Sequence, residues 1–140
     1  MRQPAPPRVA VIADTSGSIR PDELNQFVAE ILGIVRAVGL SQGVYVIPCD
    51  AEAHSIVRVK SQNALEEIEF VGGGGTNMGA GIAAAELISP KPHIVVTLTD
   101  GYTPWPESKP RGIEHFIVAL TDKTHKSHVP HWMNTVIVED

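Results

Sequence analysis

The sequence predicts an α/β fold, an open and mostly parallel sheet carrying one antiparallel edge hairpin. Three observations carry that expectation. Short apolar, β-branched-rich runs alternate with segments of helical period. Most of those runs lack polar alternation, as strands covered on both faces do. One pair of runs is joined by a short polar turn, and the second of them alternates with a period of two.

Residues Met1 to Pro7 read as an extended lead, because Pro4, Pro6 and Pro7 exclude helix. Residues 8–140 are then expected to form a single domain. Arg8 to Ala13 is the first buried strand. After the turn at Asp14, Pro21 sits at a favoured first helical position, and Asp22 and Glu23 suit the positive end of the helix dipole. Leu24, Phe27, Val28, Ile31, Leu32, Val35 and Val38 form an apolar stripe, and Gly39 ends the helix. Val44 to Cys49 and Ser55 to Lys60 form the hairpin, the latter at or near an edge. Asp50 to Ala53 is its turn, with Asp50 and Glu52 solvated or at the rim of a site.

Asn63 to Ile68 reads as a short helix. The run Gly72 to Gly75 suits neither helix nor strand. Asn77 is placed to cap a helix running to about Ile88 and stopped by Pro90. Ile94 to Leu98 is a buried strand ending at Asp100. Tyr102 to Pro110 reads as a loop, His115 to Leu120 and Thr135 to Val138 as the last strands. The stretch between those two reads as a solvated loop, with no helix to align His125, His128 and His131.

At 140 residues, 43% hydrophobic and 19% charged, the chain can bury a core and is not of disordered type. A net charge of -5 argues against nucleic-acid binding. The lone Cys49 excludes an internal disulfide and a cysteine-based zinc cluster, and reads as a core residue. No apolar run reaches the length of a membrane span, and the start lacks a signal-peptide pattern, so a cytoplasmic setting is expected.

Three blocks carry the chemistry: Asp14-Thr15-Ser16-Gly17-Ser18, Gly72 to Thr76, and Asp100-Gly101. In an open α/β sheet, ligands bind beyond the carboxyl ends of strands where strand order reverses. Asp14 and Asp100 both end strands, so neighbouring strands would bring their carboxylates together, with Thr76 entering the same crevice. Two carboxylates and three hydroxyls are hard oxygen donors suited to Mg2+, Mn2+ or Ca2+. They neutralise the ion without completing the six oxygens it takes, leaving room for one more acidic ligand.

Taken together, Asp14-x-Ser16-x-Ser18, Thr76 and Asp100-Gly101 resemble the metal-ion-dependent adhesion site (MIDAS) of von Willebrand factor A (VWA) domains. The resemblance implies a Rossmann-like, doubly wound sheet with helices on both faces. It implies Ser16, Ser18 and Thr76 as hydroxyl ligands of the metal, and Asp14 and Asp100 as direct or water-mediated ones. It further implies a metal-mediated protein-binding role, with a partner supplying an Asp or Glu. The glycine run and short length are closer to intracellular VWA-like domains of bacteria, some of which end metallopeptidase-type proteins working beside MoxR-type AAA ATPases. No H-E-x-x-H occurs in the chain, and a loop replaces the helix the family has after Asp100.

Other readings compete. Asp, Ser and Thr favour turns and caps, and Asp-Gly alone is a common turn. Trp105 could be an interface anchor, but covering the flank of the sheet is the favoured role. The alternative functions are a metal-dependent hydrolase or phosphatase and a structural domain of a larger protein. An aspartyl-nucleophile phosphatase typically has a second Asp where Ser16 stands, and no histidine adjoins the three motifs in the sequence to serve as base.

Overall fold

The computed structural model describes residues 7–38, 42–70 and 72–138. The Pro-rich lead up to Pro6 and the helix stop at Gly39 fall outside them. In chain order the elements are β1 (Val9–Asp14), α1 (Pro21–Val38), β2 (Val44–Cys49), β3 (Val57–Val59), α2 (Gln62–Glu66) and α3 (Met78–Glu86). There follow β4 (Ile94–Thr99), β5 (His115–Leu120), a 3-10 helix (Lys123–His128) and β6 (Asn134–Ile137). The six strands form one sheet in the order β3-β2-β1-β4-β5-β6. Every neighbouring pair is parallel except β2 and β3, which make the expected antiparallel edge.

Side chains of β1 alternate between two cores. Ala10 and Ile12 pack with Met78, Ile82 and Ala85 of α3, whereas Val9 and Val11 pack with Phe27, Ile31 and Val35 of α1. Helices therefore cover both faces, and the sheet is doubly wound. Each large apolar side chain buried this way contributes roughly 1.5–3 kcal/mol, more than a helix cap, so the stripe on α1 docks that helix. The chain moves outward from β1 to β3, then returns to place β4 on the other side of β1. That reversal opens a crevice at the carboxyl ends of β1 and β4.

Two expectations are corrected. Asn77 holds the cap position of α3, but its side chain makes no cap bond; the Met78 N–H donates instead to Thr103 Oγ1 at 2.9 Å. The loop after β4 thus caps the helix before it. Second, the histidine-bearing stretch is not a loop without helix. The Asp122 carboxylate accepts the Thr124 N–H at 3.0 Å and starts the 3-10 helix. A three-residue repeat eclipses side chains three apart, so His125 and His128 stack with centroids 5.7 Å apart.

Candidate metal centre

Asp14 ends β1 with no solvent exposure. Its Oδ1 accepts the Ser16 N–H at 2.9 Å, which turns the chain sharply after the strand, and its Oδ2 accepts the Thr99 hydroxyl. The Ser16 and Ser18 hydroxyls lie 3.3 Å apart. Ser18 Oγ donates to Asp100 Oδ2 at 2.8 Å, and Asp100 Oδ1 accepts the Tyr102 N–H at 3.0 Å. Asp14, Ser16, Ser18 and Asp100, drawn from two segments over eighty residues apart, therefore form one linked group.

Thr76 follows a loop that lies against the β1 turn. The Gly73 N–H donates to Thr15 O at 2.7 Å, and the Gly17 N–H donates to Gly74 O at 3.0 Å. These bonds lay the glycine loop against the β1 turn. A Cβ on Gly72 would stand 2.2 Å from Thr15 O, so only glycine permits that approach. Thr76 is half-buried and lines a cleft with Gly75, Tyr102 and Thr103, next to the Asp100 segment. Among the described residues, it has no hydrogen bond to the other four predicted site residues.

Asp50 holds the other side of this loop and is not a solvated turn residue. It is buried, its Oδ2 accepts the Gly74 N–H at 3.3 Å, and its carbonyl accepts the Asn77 N–H at 2.8 Å. His54 Nε2 and the Glu52 N–H meet its other carboxylate oxygen. Burial alone would raise the Asp50 pKa. The bonds from Glu52, His54 and Gly74 outweigh it and hold the carboxyl below its ordinary value. The strong hydrogen bonding, rather than exposure, explains why an aspartate occupies this turn.

The electrostatics of Asp14 run the other way. Burial raises its pKa and the nearby charge of Asp100 adds to the rise, against hydrogen bonds from Ser16 and Thr99 that lower it. Among the described residues, no Lys or Arg pairs with Asp14 or Asp100. Two carboxylates converge on hydroxyls with no positive side chain to balance them. That donor set fits a hard divalent cation. It does not fit zinc of structural type, since no group of three or more His, Cys, Asp or Glu able to hold a metal occurs among the described residues.

A histidine does adjoin the motifs in space. His125 Nδ1 lies 3.0 Å from the carbonyl of Asp100, and its ring meets Tyr102 at 5.5 Å between centroids. A carbonyl only accepts, so Nδ1 carries the proton in this contact. Glu23 is a second residue the sequence reading gave too small a part. It is buried, accepts the Thr121 hydroxyl and the Arg20 N–H, and ties the start of α1 to the end of β5. An acidic residue in a first helical turn gave no sign of that partner. Trp105 packs against the α3-side core, in keeping with the covering role.

The profile of a family described as VWA-like domain (DUF2201) matches residues 9–139. The chain belongs to that family. A Thermotoga maritima relative, given only as an uncharacterized protein, is 34% identical to this VWA-like domain over 105 residues. The match takes in 75% of the chain but 25% of the relative, so the chain spans about a quarter of that protein's length. The crystal structure of an aerotolerance-related membrane protein from Bacteroides fragilis, with multiple mutations to serines, superposes with a TM-score of 0.63. It covers 81% of the chain and 66% of that structure at 21% identity, which is a likeness of fold. No described helix of the VWA-like domain is long and apolar enough to cross a membrane.

Proposed function

We propose that this VWA-like domain is a metal-ion-dependent protein-binding module without catalytic activity of its own. Ser16, Ser18 and Thr76 supply hydroxyl oxygens to Mg2+, or to Mn2+ or Ca2+, and Asp14 and Asp100 supply the charge. The bound ion contributes an electrophilic position for an Asp or Glu side chain of the partner protein. The observation that carries this reading is the fully buried Asp14 carboxylate, joined to Ser16 and with Asp100 close by, and paired with no Lys or Arg among the described residues. The chain's own residues set the shape of the site. Thr99 and the Ser16 N–H fix both oxygens of Asp14, Tyr102 N–H fixes one oxygen of Asp100, and Asp50 suspends the loop that carries Thr76.

Hydrolysis is the weaker alternative, because Ser16 stands where an aspartyl-nucleophile phosphatase typically carries its second Asp. The quarter-length match to the longer relative supports service within a larger polypeptide. A metallopeptidase-type protein or a AAA ATPase complex is the setting we propose for it. The test is a random peptide display selection on the immobilised chain in Mg2+, with elution by EDTA. EDTA-released peptides should carry Asp or Glu and should not bind Asp14→Asn. Peptides that stay bound in EDTA, with none released, would contradict the reading.

A further inference from the structure

Resting on the metal-dependent reading above, we infer that the cleft beside Thr76 is a subsite for an aromatic side chain. That side chain belongs to the partner and lies within two residues of its metal-binding Asp or Glu. The cleft, about 460 Å3, is lined by Gly75, Thr76, Tyr102, Thr103, Pro104 and His128. One wall is tied to the candidate metal site twice: Thr76 belongs to both, and the Tyr102 N–H is bonded to the Asp100 carboxylate. An extended peptide advances roughly 3.3 Å per residue, so a neighbour of the acidic residue reaches this cleft without a turn.

The chemistry of the lining selects the occupant. It contains no Lys, Arg, Asp or Glu, which leaves a charged side chain without a partner. Tyr102 is 67% exposed, unusual for an aromatic ring that nothing covers. Its ring meets His125 at 5.5 Å with the planes tilted by 44°, and His125 stacks on His128 at 5.7 Å, which makes a row of three rings. Such a row accepts another ring in offset or edge-on contact, and a proline beside it adds apolar surface. Two clefts of similar size lack this row of rings and carry charge instead: one between Pro48 and Glu69 is rimmed by Glu67 and Glu69, and one is lined by Lys109, Arg111 and Glu114.

The peptides released by EDTA in the selection above provide the test. Phe, Tyr or Trp should be enriched within two positions of the Asp or Glu. A selected peptide should bind Tyr102→Ala and His128→Ala roughly twofold to tenfold more weakly than the parent chain. The same peptide with Ala in place of its aromatic residue should bind parent and variants alike. Tyr102 and His128 are exposed, so both variants keep the fold. EDTA-released acidic peptides with no aromatic bias, or aromatic peptides indifferent to both substitutions, would overturn the subsite and leave the metal reading standing. A selection yielding no EDTA-released peptide would overturn both.

Discussion

Burial, reinforced by the charge of Asp100, keeps the Asp14 carboxyl above its ordinary pKa. A carboxyl with a raised folded-state value favours the protonated folded form, so folding loses stability as pH climbs from about 4 through the raised value. On the proposed function, a bound cation would favour the ionised form and remove that loss. Thermal melts should therefore show Mg2+ raising Tm more at pH 7 than at pH 4.5; an equal rise would contradict this electrostatic role. Cys49 offers a second check. Burial pushes its thiol up to about 12, and it should ignore a thiol reagent in buffer yet react once urea unfolds the chain. Asp14, Ser16, Ser18 and Asp100 were legible in sequence because each lies at or just beyond a strand end. His125 and Glu23 were not, and Asp50 was read only as solvated or at the rim of a site. His125 meets Asp100 across 25 residues, and Glu23 meets Thr121 across 98, distances over which local pattern carries no information.

Among the elements, α3 shows how small residues set the position of the site. A Cβ on Gly81 would stand 2.5 Å from Ile12 Cγ2 and 3.3 Å from Cys49 Sγ. Gly81→Ala should cost about 1–3 kcal/mol in urea denaturation by pushing α3 off β1 and β2. Gly33, exposed on α1, has nothing within 4 Å of such an atom. Gly33→Ala should instead stabilise by about 0.5–1 kcal/mol, since alanine restricts the unfolded chain and suits a helix. Thr103→Val removes the acceptor for the Met78 N–H and should cost about 1 kcal/mol. Periodicity located every strand and α-helix to within a few residues. It misassigned the cap of α3 because Thr103, 25 residues later, supplies what Asn77 only resembles. The 3-10 helix escaped notice because one aspartate cap and six polar residues leave no apolar period.

At the level of the whole molecule, the doubly wound sheet places the ends of β1 and β4 side by side and brings the glycine loop across them. The fold was readable because alternating buried strands and helices admit few topologies. The central claim is that this crevice holds a divalent cation. Calorimetric titration of the chain with Mg2+ and Mn2+ tests it most directly, using Asp14→Asn as the comparison. Asparagine keeps an oxygen for the Ser16 N–H but removes the charge. One ion should bind per parent chain, and the affinity should fall at least about tenfold in Asp14→Asn, the scale of one lost charge-assisted contact. Absence of binding by the parent chain, or equal binding by the variant, would contradict the claim.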